Sequence, residues 1–390
     1  MIHEFSGSLR PFRVVMPSGQ RYWTVLDEDR LEPVPAADEF LRHVRFGRDQ
    51  AESTTRTYAG AVALYLTWCR LTGRDWTTAA GRLGSFMFWL RHSLGDGGEV
   101  VAGPGSEPVR GPRRINTVLA GVREFLAHGT TLGTVPMFVL SQLYEIADTR
   151  DLPPEARGEG SGLRYFAKAR HRAAEPDEPV GRATDEEVLA LLRACRNARD
   201  RFIVLLLARA GLRRSEAVGL RREDIHFVLD ASGLGCRIPG SHLHVVRRDN
   251  DNGAWAKSKR SRAIPVDFLL VQAYDQYAVE RDACREARDS DFVLVNLFRQ
   301  PLGAPMPPAA LNDLFDRLSR RAGLPEGVHP HALRHGFASN AADAGAVLDE
   351  IADLLGHASP ASSQVYLHPD PQRLRAAVER VGALAPRRNG

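Results

Sequence analysis

The run HALRHGF at residues 331–337 sets His331, Arg334 and His335 at positions i, i+3 and i+4, so all three share one face of a helix. Leu333 and Phe337 fall on another face, toward a core. Two imidazoles and a guanidinium on one side of a helix make that side the wall of a cleft. A metal site using His329, His331 and His335 is the rival reading. No glutamate stands in an HExxH arrangement and no further carboxylate falls at a telling spacing, so no metal is assigned.

Upstream of that run, residues 201–210 read as a helix that stops at Gly211, where GLRRSE (211–216) follows. Another helix precedes it, with Thr184 as N-cap and Glu187 as its capping-box partner. Val188, Leu191, Leu192 and Cys195 form its apolar stripe. Strands are expected at residues 225–229, 243–248 and 263–266, with the turn-prone run DNDNG at 249–253 between the last two. From there the chain reads as helical to its end. Ser359 and Pro360 start a short helix that presents Tyr366 just after His357. The amphipathic stretch 371–384 either docks on its own domain or packs on a neighbouring subunit.

With 390 residues, the chain exceeds one core at about 150 residues per domain, so two or three units are expected. Residues 36–148 read as an all-helical domain. Its stripes are Tyr58, Val62, Tyr65, Leu66 and Cys69, then Leu83, Phe86, Met87 and Leu90, then Ile115, Val118, Leu119, Val122 and Leu126. Residues 94–112 form a loop, and 135–146 read as one more helix. Residues 149–182, rich in Pro, Gly and charge, read as a linker, and 183–390 as the second domain. Residues 1–35 form an N-terminal extension whose alternation over 10–26, around Pro17, Ser18 and Gly19, suggests a hairpin.

A composition of 43% hydrophobic and 26% charged residues is that of an ordinary globular protein. No stretch approaches the ~20 apolar residues of a membrane span and the N-terminus lacks an apolar signal core, so a cytoplasmic location is expected. Cys69, Cys195, Cys236 and Cys284 lie far apart with no CxxC pair. They read as buried or incidental thiols, with neither a zinc site nor a disulfide framework.

A net charge of +4 is only mildly basic, so local clusters matter more. Four occur: Arg42, Arg45 and Arg48; Arg110, Arg113 and Arg114; Arg164, Lys168, Arg170 and Arg172; and Lys257, Lys259, Arg260 and Arg262. Each alone reads equally well as a solvated face, but four in one chain favour phosphate binding. Lysine is nearly absent, and two of the three, Lys257 and Lys259, sit in AKSKRS. An amine can be tuned to release its proton where a guanidinium cannot, which hints at acid catalysis.

Five motifs therefore stand in order: GLRRSE at 211–216, AKSKRSRAIP at 256–265, HALRH at 331–335, LGHAS at 355–359, and Tyr366 nine residues beyond His357. Together they resemble the tyrosine recombinase (phage integrase) family, and the helical first domain looks like that family's core-binding domain. The resemblance implies a mostly α fold with a small antiparallel β-sheet in an α+β catalytic domain, preceded by an all-α DNA-binding domain. It implies site-specific cleavage and rejoining of DNA through a 3′-phosphotyrosyl link to Tyr366, with no cofactor and no metal.

Guanidinium forks match the non-bridging oxygens of a phosphodiester, so Arg213 and Arg334 would clamp them. By resemblance His357 hydrogen-bonds a phosphate oxygen, His331 helps deprotonate the phenol, and Lys257 protonates the departing 5′ oxygen, with Lys259 as its competitor. Glu216 and His335 would support this set from behind. Arg113, Arg114, Arg170, Arg172, Lys259, Arg260 and Arg262 would contact the DNA backbone. The implied partners are duplex DNA and three further copies of the chain in a tetramer on DNA, with a monomer or dimer when free and no membrane. Integration and transposition are the implied settings. A type IB topoisomerase and a non-catalytic DNA-binding protein are the alternatives.

Overall fold

The computed structural model describes residues 8–93, 107–147, 166–176, 181–248, 250–255 and 261–357. The chain is mostly helical with small antiparallel sheets, and it divides into two compact units, Met1–Asp177 and Glu178–Gly390.

The first unit opens with strands β1 (Leu9–Val15), β2 (Arg21–Asp27) and β3 (Glu32–Pro33), antiparallel in that order. The helices α1 (Pro35–Arg42), α2 (Glu52–Leu71), α3 (Leu83–His92), α4 (Pro112–Thr131) and α5 (Val139–Leu143) follow. Their apolar stripes close one core around Phe40, Tyr65, Trp68, Phe86, Val118 and Leu126. Burying each such side chain contributes roughly 1.5–3 kcal/mol, which makes this core the main stabilising term of the unit.

Two sequence expectations need correction here. The hairpin expected over 10–26 is present as β1 and β2, but it belongs to the body of the first unit and not to an extension, because Leu9 and Val25 enter the same core. The Trp23 backbone N–H and indole N–H also donate to Thr55 Oγ1 and Glu52 Oε1 of α2, both at 3.1 Å. Nor is the unit all-helical. The helix expected over 135–146 ends at Leu143, and β4 (Tyr144–Ala147) pairs with β5 (Phe166–Ala169), which composition had placed in the linker. The register sets Glu145 opposite Lys168, whose Nζ lies 3.6 Å from Glu145 Oε1. A cross-strand charge pair of this kind helps fix the pairing.

In the second unit α6 (Asp185–Ala194) begins at Thr184, with Glu187 closing the capping box, and α7 (Ala198–Ala210) follows. Residues Phe202 to Leu207 of α7 are buried on every face, so α7 is the central helix, and α9 and α11 pack against it. The remaining elements are α8 (Arg214–Val218), β6 (Ile225–His226), β7 (His242–Val245), β8 (Arg262–Pro265), α9 (Phe268–Asp282), α10 (Pro308–Ala322), α11 (Pro330–Asp343) and α12 (Leu348–Leu355). The sheet runs β6-β7-β8, antiparallel throughout. No described helix is long and apolar enough to cross a membrane.

Candidate active site

Three helix ends meet at one place in the second unit. Helix α7 stops at Gly211, which sits at φ 59°, a left-handed conformation that favours glycine. A Cβ there would come within 2.3 Å of the Phe337 ring on α11, so close packing of α7 on α11 also requires the missing side chain. The turn delivers Arg213 to the N-terminus of α8, where its backbone N–H donates to Glu216 Oε2 at 2.9 Å. Helix α12 ends at Gly356, φ 62°, and the backbone N–H of His357 turns back onto the Ala352 carbonyl at 2.9 Å.

Glu216 is the hub of this site, its side chain fully buried. Arg213 Nη1 lies 2.9 Å from Oε1, Arg262 Nη2 lies 2.8 Å from Oε2, and Arg334 Nη1 lies 3.8 Å from Oε2. Arg334, itself only 1% exposed, donates from Nη1 to the Gly211 carbonyl at 2.7 Å and from Nη2 to the Leu355 carbonyl at 2.6 Å. Arg213 reaches the Leu355 carbonyl as well, at 3.3 Å, and Arg262 Nε donates to the Leu354 carbonyl at 2.9 Å. The carbonyl end of α12, where the helix dipole places roughly half a negative charge, therefore holds the guanidinium groups in register. Three guanidiniums against one carboxylate leave a formal surplus of two positive charges. A site of that charge, walled by low-dielectric core, is chemically suited to an anion such as a phosphodiester.

Burial alone would push the Glu216 carboxyl up, but the Arg262 hydrogen bond and the charges of Arg262 and Arg213 hold it below the usual carboxylate range. The imidazole of His357 is pushed down to about 4, first by burial and then by Arg334, Arg213 and Arg262. That of His335 is likewise pushed down to about 4, by burial and by its neighbours His331, Arg334 and His357. At neutral pH both rings are uncharged and each carries one N–H, the form suited to hydrogen-bonding a phosphate oxygen.

The same shifts carry a pH signature. Unfolded histidine titrates near ~6.5, so between about 6.5 and about 4 the unfolded chain binds protons that the folded chain does not, and stability falls as pH falls through that window. A urea-unfolding series from neutral pH to about 4.5 is expected to show this decline, and it should be shallower for the double variant His335→Gln, His357→Gln. Parallel curves for the two proteins would contradict it.

The structure thus brings together Arg213, Glu216, Arg334, His335 and His357. His331 lies at the exposed start of α11, its ring 4.2 Å from that of His335, centroid to centroid. Lys257, Lys259, Arg260 and Tyr366 lie outside the described residues. Arg262 differs from its expected place among the backbone-contacting arginines. It points inward, with a side chain 9% exposed, and completes the triad of guanidiniums on Glu216. The signal was present in the alternation of β8, since Arg262 stands two residues from fully buried Ile264 and shares its face.

In the first unit Arg113, Arg114, Arg170 and Arg172 are exposed, with Arg113 and Arg172 each 3.8 Å from Glu175. Two other clustered arginines are structural. Arg45 is buried and donates to the carbonyls of Arg21 and Gln50, and Arg110 donates to those of Leu90 and Ser93. The sequence shows Cys236 only as a thiol far from any other cysteine. Cys236 stands among His226, His242 and His244, with one potential ligand atom from each residue within 4.8 Å of the others.

The second unit gathers three guanidiniums around one buried carboxylate, with neutral imidazoles beside them, a set whose charge and donors suit a phosphoryl group. The phage integrase family matches residues 182–373, the span that holds this whole cluster. The tyrosine recombinase XerC of Brucella melitensis biotype 1 is 30% identical over 68% of this chain and 70% of its own length. XerC of Methylobacterium sp. (strain 4-46) is 29% identical over 69% of this chain and 87% of its own. Transposase A from transposon Tn554 of Staphylococcus aureus is 26% identical, covering 75% and 76%. Among solved structures, the XerH site-specific recombinase bound to palindromic difH substrate aligns over 88% of each chain, at 19% identity and a TM-score of 0.50, a likeness of fold. The chain belongs to the phage integrase family of tyrosine recombinases, enzymes that cleave and rejoin DNA.

Proposed function

We propose that this chain performs site-specific recombination with the cluster around Glu216 as its phosphate clamp. Arg213 and Arg334 neutralise the non-bridging oxygens of the scissile phosphate, and neutral His357 donates a hydrogen bond to one of them. The phenol of Tyr366, nine residues beyond His357, attacks the phosphorus in line. Its proton passes to a base, with His331 in that role, and the P–O bond to the 5′ oxygen breaks. Lys257 gives the leaving oxygen a proton. The product is a 3′-phosphotyrosyl link and a free 5′ hydroxyl, and attack by a partner strand's 5′ hydroxyl reverses the chemistry. One ester replaces another, so joining is close to isoenergetic and calls for no nucleotide hydrolysis.

Glu216 orients the arginines and keeps their mutual repulsion tolerable. His335 backs the cluster from α11, and Arg113, Arg114, Arg170 and Arg172 of the first unit take the DNA backbone together with Lys259 and Arg260. Exchange between two duplexes requires four active copies, so the working form is a tetramer on DNA, assembled in the cytoplasm where the DNA lies.

The observation that carries this reading is the surplus of two positive charges held rigidly by backbone carbonyls at one point. A duplex nicked beside the cleavage point tests it, on a site selected from random DNA by the protein's own binding. Covalent trapping followed by transfer of the trapped strand to a second duplex is expected. Trapping with relaxation of supercoils but no transfer would assign the chain to topoisomerase chemistry, and binding without trapping would leave only a DNA-binding protein.

A further inference from the structure

Strand β7 carries His242 and His244 two residues apart, so both project from one face of the sheet while Leu243 and Val245 enter the core from the other. His226 on β6 stands directly opposite His242 in the register. The loop between β6 and β7, residues 227–241, returns Cys236 to the same point. The contacts are 3.1 Å from His226 Nδ1 to His242 Nε2, 3.3 Å from Cys236 Sγ to His242 Nε2, and 3.6 Å from Cys236 Sγ to His244 Nε2.

A tetrahedral zinc ion with bonds of roughly 2.0–2.1 Å to nitrogen and 2.3 Å to sulfur sets its nitrogen ligands about 3.3 Å apart and its nitrogen and sulfur ligands about 3.5 Å apart. The three contacts lie within about 0.2 Å of those edges, and all four ligand atoms stand within 4.8 Å of one another, so a small inward shift of the loop would close them on one ion. The tautomer of the most buried ring is also fixed for the purpose. His242, fully buried, places Nδ1 2.7 Å from the Gly240 carbonyl, so Nδ1 carries the proton and the Nε2 lone pair faces the cluster. A backbone carbonyl that orients a histidine in this way is the usual outer support of a metal ligand.

The loop that carries Cys236 also lacks a core of its own. Beyond Phe227, which packs on the main core at the loop's start, Val228, Leu229, Leu234 and Ile238 are exposed and only Ala231 is buried among its other aliphatic residues. Backbone bonds from Cys236 to Ala231 and from Gly240 to Leu229 shape it, at 3.2 and 3.1 Å. A small unit with so little apolar burial gains most from a metal staple.

The geometry points to a structural zinc site formed by His226, Cys236, His242 and His244, distinct from the phosphate clamp and independent of how the chain acts on DNA. Four protein ligands close the coordination sphere, which is the pattern of a structural ion with no open position. A thiolate with three imidazoles favours zinc or cobalt over the hard cations magnesium and calcium. The ion would brace the sheet on which the clamp depends. His244 faces Ala263 across the β7–β8 pairing, and the next pair is Val245 with Arg262, the arginine bound to Glu216.

The test uses the full chain, loaded with zinc and dialysed into metal-free buffer, with the metal content measured directly. One zinc per chain is expected to be retained by the natural sequence, and to be lost by Cys236→Ser and by His244→Ala. A second reading on the natural sequence guards against misfolded variants. Cobalt in place of zinc is expected to give tetrahedral d–d bands and a thiolate-to-cobalt charge-transfer band. Retention of zinc no better than that of Cys236→Ser, or a cobalt spectrum without the thiolate band, would overturn the site.

Discussion

Arg334→Ala is expected to lower the rate of strand cleavage by on the order of 10²–10³ or more, the cost of removing one donor aimed at charge that develops in a transition state. The side chain is also a structural tie, since its two terminal nitrogens join the Gly211 carbonyl after α7 to the Leu355 carbonyl at the end of α12. A loss of activity alone would therefore leave two causes mixed. Arg334→Lys keeps the charge but not the planar fork, and it too should be strongly impaired, because one ammonium cannot span both carbonyls and a phosphate oxygen. Chemistry on the substrate separates charge from scaffold. Replacing one non-bridging oxygen of the scissile phosphate by a methyl group removes the charge the arginine answers, so Arg334→Ala should recover much of its deficit on that neutral substrate. An equal deficit on both substrates would show that Arg334 acts only through the fold.

Glu216→Ala should be the most destabilising single change in the second unit, at about 3–5 kcal/mol, since it strips the counter-charge from buried guanidiniums. The carboxylate is fully enclosed and takes ion pairs from Arg213 and Arg262, with Arg334 at 3.8 Å, so nothing from solvent replaces it without local opening. Urea unfolding measures the loss. Inorganic phosphate should stabilise the variant more than the natural sequence, because an anion in the vacated place answers the same charges. A loss under about 1 kcal/mol, or no difference in the response to phosphate, would mean that the arginines repel each other less than their spacing implies.

What was legible in the sequence follows the range of the interactions involved. The capping box of Thr184 and Glu187, the stop at Gly211 and the alternation of β7 and β8 are decided within a few residues, and the sequence displays them directly. The i, i+3, i+4 spacing of His331, Arg334 and His335 is equally local. It sets three residues on one side of α11 but does not say how deep each one lies. Arg334 and His335 are buried whereas His331 is exposed, because α7 and α12 cover only part of that side.

Charge runs were the least informative feature. Arg45 and Arg110 satisfy backbone carbonyls inside the first unit, and a composition count cannot distinguish such an arginine from one that waits for phosphate. The cysteine and histidine cluster escaped for a different reason. Familiar zinc spacings place ligands in close sequence pairs, whereas His226 and His242 meet only through the register of β6 on β7. The short spacing His242-x-His244 was the one visible trace. The N-terminal hairpin was legible at residues 10–26, but its docking on the helices was not, because alternation reveals a hairpin without revealing what covers its inner face.

The most direct measurement of the central claim is the identity of the residue that becomes joined to DNA. After trapping on a nicked cognate duplex and proteolysis, mass spectrometry should find the nucleotide adduct on the peptide holding Tyr366, and Tyr366→Phe should bind the same duplex while forming no adduct. An adduct on any other residue, or undiminished trapping by Tyr366→Phe, would contradict a clamp of Arg213, Arg334 and His357 that serves that phenol.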